Sequence, residues 1–214
     1  MENQVLYIAL GDSLTKGVGA SAHERSFTAS FFHGIKQTKD CRYINLGKSG
    51  RSSGELLQLL TDSKICDLLK RATHVTITIG GNDMIRAYQN NFNLSGIIRT
   101  IRTLKQNLEY ILQSITDLNP DTHIFLMGLY NPGTSDHKLY KVATQLIRRI
   151  NRIYEGTATQ FGVNIIIPMD SFLNKPYLLA DEVHPNDQGY KIITDLFLGN
   201  QRLQYLLPTK DDRV

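Results

Sequence analysis

The sequence predicts a three-layer α/β protein with a parallel sheet, and three observations carry that expectation. Apolar runs of strand length alternate with helical stretches from one end of the chain to the other. Most of those runs are continuously apolar, as strands covered on both faces should be. The 214 residues suffice for one sizeable core, and no internal repeat or low-complexity linker marks a second domain.

Five runs read as strands: Val5–Leu10, Arg42–Leu46, His74–Ile79, His123–Met127 and Val163–Ile167. Between the first two, Ser26–Lys36 reads as a helix, and between the second and third Gly54–Lys70 reads as one or two more. The clearest helix is Leu94–Leu118, where Ile97, Ile101, Leu104, Leu108, Ile111 and Ile115 recur every three or four residues. Another runs from about Leu139 to Phe161, with Ile147, Ile150 and Tyr154 on its apolar side. The last, Asp187–Leu198, has Asn186 as its N-cap. Residues 200–214 begin apolar (Leu203, Tyr205, Leu206, Leu207) and end polar, which predicts a tail that docks and then frays. The whole of 1–214 is expected to form one domain.

Composition narrows the function. Hydrophobic residues at 41% and charged residues at 21% are ordinary for a soluble globular protein. The net charge of +4 and a pI near 9.0 are mildly basic. The densest basic spots, Arg148-Arg149 with Arg152 and Arg99 with Arg102, fall on predicted helix faces and read as solvated surface. Nucleic-acid binding is therefore disfavoured, while weak attraction to anionic lipid surfaces stays open. The first residues lack a basic, apolar and cleavable leader, and no segment approaches membrane-spanning length, so a cytoplasmic protein is expected. Cys41 and Cys66 are read as free thiols, too few for a metal site.

Chemistry enters at Gly11-Asp12-Ser13-Leu14, directly after the first strand. A glycine turn there delivers Ser13 to the carboxyl edge of the sheet, where open α/β folds bind ligands. By itself such a serine can equally cap the following helix. A nucleophilic reading needs a base, a carboxylate to orient it, and donors for an oxyanion. Of the six histidines, His74 and His123 open strands, while His23, His33 and His137 lie in loops or on a helix. His184 differs: it stands in Asp181-Glu182-Val183-His184-Pro185, before the last helix, with Asp181 three residues earlier to accept from the imidazole. Two more strand ends supply polar or glycine residues, Asn45-Leu46-Gly47-Lys48-Ser49-Gly50 and Gly80-Gly81-Asn82-Asp83. Taken singly, each block reads as a turn.

Together, these four blocks resemble the SGNH hydrolases, also called the GDSL lipase/esterase family. The matching blocks span residues 11 to 185, nearly the whole chain. The resemblance implies a flavodoxin-like α/β/α sandwich whose five parallel strands are ordered 2-1-3-4-5. It implies Ser13 as nucleophile, His184 as general base and then acid, and Asp181 as the group orienting the imidazole. Its oxyanion hole would be the Ser13 N–H, the Gly47 N–H and the Asn82 side chain. Asp12 is expected to shape the turn. No cofactor or metal is implied, and the partner is a small-molecule or lipid ester. Length and texture also resemble the spore-germination lipases of spore-forming bacteria, for which the spore coat is an alternative location.

Leu14, Val18, Met84, Ile85, Tyr177, Leu178 and Leu179 are candidate walls of an acyl site, Leu14, Met84, Tyr177 and Leu178 foremost, and the loop Tyr130-Asn131-Pro132-Gly133 could close another side. The expected activity is hydrolysis of lipid or lysophospholipid acyl esters. A carbohydrate acetylesterase, an arylesterase or a thioesterase would use the same residues. Two other classes compete. Gly47-Lys48-Ser49 resembles the end of a phosphate-binding loop, but the required glycine five positions earlier is Arg42. A non-catalytic flavodoxin-like module would not require Asp181 and His184.

Overall fold

The computed structural model describes residues 4–36, 38–89 and 93–206, with side chains through 201. Five strands form one parallel sheet in the order β2-β1-β3-β4-β5. They are β1 (Leu6–Gly11), β2 (Arg42–Gly47), β3 (His74–Thr78), β4 (His123–Met127) and β5 (Asn164–Ile166). The order matches the expectation, and its register aligns the strand ends. Gly11 lies opposite Gly47 on one side and Thr78 on the other, and Thr78 lies opposite Met127. The residues that follow β1, β2, β3 and β4 therefore emerge at one edge.

The sheet is buried on both faces because its side chains alternate between two cores. Ile8 and Leu10 of β1 pack on one side, under α3 (Ser53–Leu59), α4 (Ser63–Leu69), α6 (Leu94–Leu118) and α7 (Tyr140–Phe161). Tyr7 and Ala9 face the other side, under α2 (Phe27–Ile35), α8 (Met169–Phe172) and α9 (Asp187–Leu206). The periodic apolar residues of α6 do what their spacing requires: Ile97, Leu104, Leu108, Ile111 and Ile115 are all buried. Asn186 caps α9 by accepting from the Gln188 and Gly189 N–H groups.

Several elements depart from the sequence reading, the short α8 among them. A four-residue helix, α1 (Ser13–Lys16), follows β1 at once, and α5 (Gly81–Gln89) occupies what reads as a turn. α5 is short and begins at the paired glycines Gly80-Gly81, a turn signal that masks its start. The last helix also runs further than Leu198, to Leu206; the rest of the expected tail, 207–214, lies outside the described residues. Among the described residues no helix is long and apolar enough to cross a membrane.

Candidate active site

Ser13 is the first residue of α1, and Asp12 is why the chain turns into a helix there. The Asp12 carboxylate accepts from the Leu14 N–H at 3.0 Å and from the Thr78 hydroxyl at 2.8 Å. It is only 4% exposed, and burial raises its pKa from 3.8 to about 6 against the pull of those bonds. Thr15 closes the network by bonding Thr78 Oγ1 at 2.7 Å. The serine is thus held by a buried polar lattice linking β1, α1 and β3, while its own N–H bonds no other described residue.

The base arrives from the far end of the chain. His184 Nε2 lies 2.9 Å from Ser13 Oγ, and His184 Nδ1 lies 2.7 Å from Asp181 Oδ2. The spacing of Asp181 and His184 works because the intervening residues form a closed loop. Asp181 Oδ1 accepts from the Val183 N–H at 2.8 Å and the His184 N–H at 2.7 Å, and the Ala180 N–H donates to the His184 carbonyl. Tyr130 Oη donates to the Val183 carbonyl at 2.5 Å and pins the loop to the end of β4. The bonds from the His184 and Val183 groups hold Asp181 down at about 2, although the residue is half-exposed. An ionised carboxylate only accepts, so His184 Nδ1 carries the proton and Nε2 faces Ser13 as an acceptor.

The oxyanion side differs from the sequence expectation. Gly47 does not serve: its N–H is spent on Asn45 Oδ1 at 2.8 Å, and it does not line the cavity beside Ser13. Its lack of a side chain has another reason, since a Cβ there would meet the Lys16 nitrogen at 2.3 Å. Gly50 takes its place on the cavity wall, with φ +77° and an N–H that bonds no other described residue. Asn82, in the first turn of α5, donates one Nδ2 hydrogen to the Arg51 carbonyl at 3.0 Å, leaving the second for a ligand.

The segment carrying Gly50 is fastened from two directions. The buried Arg51 guanidinium donates to the Gly11 carbonyl at 2.9 Å and also to the Leu46 carbonyl. Arg86 of α5 donates to the Gly50 carbonyl at 2.7 Å. Asp83 accepts from both the Ser53 N–H and hydroxyl, joining α5 to α3. Neither arginine stands out in the sequence, because each acts through backbone carbonyls whose direction only the fold settles.

These groups open into a cavity of about 500 Å³. Leu14, Val18, Met84 and Ile85 line it as expected, with Tyr130 and Pro132 of the loop after β4. Tyr177 and Leu178 do not. They lie on a 3-10 turn, Pro176–Leu178, that rotates Leu178 into the core beside Phe172, while Tyr177 points to solvent. Met127, Leu129 and Ile147 supply further wall instead. Among the described residues no cluster of three or more histidine, cysteine or acidic groups could hold a metal ion.

A serine hydroxyl, an imidazole within hydrogen-bond reach of it and free donors at the edge of a parallel sheet are the parts that a serine-type acyl hydrolase needs. Comparison with known proteins gives the family: residues 9–192 match the model of the GDSL-like Lipase/Acylhydrolase family, and the chain belongs to it. It is similar to the spore germination lipase LipC of Bacillus licheniformis, 28% identical over 88% of this chain and 92% of that protein. Among solved structures it resembles the lipase Lip_vut3 from a goat rumen metagenome, with TM-score 0.82 and 26% identity over 92% of this chain and 97% of that one. The acetylxylan esterase Axe2 of Geobacillus stearothermophilus shares the fold at TM-score 0.73, 18% identical over 94% of this chain and 96% of its own.

Proposed function

We propose that this ester hydrolase cleaves esters of apolar acyl chains, lipid or lysophospholipid esters among them, through an acyl-enzyme on Ser13. The observation that carries the reading is the unbroken hydrogen-bonded chain Asp181–His184–Ser13 opening on a carbon-lined cavity of about 500 Å³. Ser13 Oγ attacks the ester carbonyl as its proton passes to His184 Nε2. Asp181 stabilises the imidazolium that results. The Ser13 N–H, the Gly50 N–H and the second Asn82 Nδ2 hydrogen receive the developing oxyanion. His184 then protonates the departing alcohol, and later draws a proton from the water that releases the acid.

A cavity of this volume walled by Leu14, Met84, Ile85 and Ile147 favours an acyl chain over an acetyl group, since each methylene buried there contributes about 0.8 kcal/mol. Carbohydrate acetylesterase, arylesterase and thioesterase activity are the rivals. A p-nitrophenyl ester series from acetyl to palmitoyl, run beside a lysophospholipid, separates them. kcat/KM should rise with chain length beyond acetyl. Turnover of acetyl esters alone would overturn the lipid assignment.

A further inference from the structure

We infer that the rim of the Ser13 cavity is a docking surface for an anionic lipid layer. This rests on the acyl-ester reading above and names the partner that would present those esters. The large apolar side chains that stand in solvent are not scattered over the molecule. Eight are exposed among the described residues, and six of them are Ile85, Tyr88, Leu94, Ile98, Leu139 and Val142. They lie on α5, on the first turns of α6 and at the start of α7. Crossover helices run back against parallel strands, so the beginnings of α6 and α7 stand at the carboxyl edge, the edge that carries Ser13. α6 packs against both α5 and α7, which makes the three segments neighbours. Of the other two, Tyr177 lies on the turn leading into the Asp181 loop, and only Tyr110 sits far down α6.

The α6/α7 seam gives the clearest sign. Ile101 and Leu146 are partly buried against the core. About one turn nearer the helix starts come Ile98 and Val142, then Leu94, which are 49%, 56% and 74% exposed. The seam stays apolar beyond the reach of its own core, which solvated helix surface does not require. Ile85 belongs to both the rim and the cavity wall, so the exposed patch is continuous with the acyl site.

Charge selects the occupant. Lys138 and Lys141 bracket Leu139 and precede Val142, Arg99 follows Ile98, and Arg86 follows Ile85. Lys138, Lys141 and Arg99 are exposed and form no ion pair with a described residue; Arg86 pairs with Glu55. Asp136 and Glu182 stand exposed on this end, whereas Asp12 is buried and Glu55, Asp83, Asp170, Asp181 and Asp187 are each held by partners, Ser52 and Arg86, Ser53, Arg148, His184, and Ser21 and Arg25. Basic groups interleaved with aliphatic ones fit a surface with apolar depth and negative headgroups. A second copy of this chain would bring like charges together.

The test is co-flotation of the full chain with phosphatidylcholine vesicles, with and without phosphatidylglycerol. Ser13→Ala protein is used, so that docking is read without hydrolysis. Binding to the anionic vesicles is expected, and much weaker binding to phosphatidylcholine alone. Lys138→Gln/Lys141→Gln should lose about 25-fold, near fivefold per lysine. Leu94→Ser/Ile98→Ser should lose about tenfold or more. In the wild-type background both pairs should keep kcat/KM on a soluble butyryl ester within about twofold. Unchanged flotation in these variants would overturn the inference. So would a dimer in sedimentation that these substitutions dissolve. Failure to hydrolyse long acyl esters by a protein that still floats would instead count against the substrate reading.

Discussion

The Gly47 N–H donates to Asn45 Oδ1, two residues earlier on the same strand end, at 2.8 Å. That bond occupies the Gly47 N–H, whereas Gly50, three residues later on the cavity wall, keeps an N–H that bonds no other described residue. The two glycines should respond differently to alanine. Gly47→Ala places a methyl against the Lys16 and Thr15 backbone, so the melting temperature should collapse. Gly50→Ala meets open space and costs about 1 kcal/mol for its positive φ, with its N–H retained. Thermal melts together with ester kinetics check the pair. Equal stability losses would contradict the assignment.

Asn82→Ala removes the side-chain donor while leaving the base in place. We expect kcat to fall roughly 10²–10³-fold with little change in KM. A loss expressed in KM alone would assign Asn82 to ground-state binding.

Asp181→Asn keeps a side-chain oxygen for the Val183 and His184 N–H groups but ends the carboxylate's hold on Nδ1. The protein should stay folded by circular dichroism while kcat falls on the order of 10³–10⁴-fold. With its carboxyl held at about 2, Asp181 remains charged well into acid, so its protonation does not set the acid limb of the wild-type rate profile. Wild-type activity in the variant would mean that another group orients His184.

Two buried groups give stability slopes of opposite sign. Asp12 titrates at about 6 when folded against an ordinary 3.8, so the folded protein binds the extra proton and stability falls as pH rises between those values. His74, 5% exposed and beside His123, is lowered by burial to about 4 from 6.5; there the unfolded chain binds the extra proton, and stability falls as pH drops. Asp12→Asn should gain on the wild type from about pH 4 to pH 6, by up to ~3 kcal/mol. His74→Gln should flatten the loss between about pH 6.5 and pH 4. Urea titrations across that range read both, and parallel curves for all three proteins would refute the account.

Ile147→Trp should fill part of the acyl cavity from α7. Hydrolysis of long-chain esters should drop about tenfold or more while acetyl ester turnover stays within about twofold. An unchanged chain-length profile would place the acyl chain elsewhere.

Much of this was legible in the sequence where one residue's chemistry decides its place. The α6 period is carried by side chains that must be buried, and its bounds agree with the structure. Ser13 and Asn82 follow the ends of β1 and β3, while Asp181 and His184 sit in the loop that leads into α9, and the alternation of strands and helices already implied a common edge for all four. What escaped depends on direction. Two glycines three residues apart look alike until one finds its N–H taken by Asn45. Leu178 reads as a pocket wall until a 3-10 turn rotates it into the core. Arg51 and Arg86 fasten the Gly50 segment through backbone carbonyls, and which way a carbonyl points is a property of the folded backbone.

In the proposed reaction Ser13 is the nucleophile that forms the acyl-enzyme, with His184 as its base. Labelling with a fluorophosphonate, read by intact mass and peptide mapping, tests it most directly. One adduct is expected, on Ser13, formed far more slowly in His184→Ala. An adduct on another residue, or none in active protein, would contradict it.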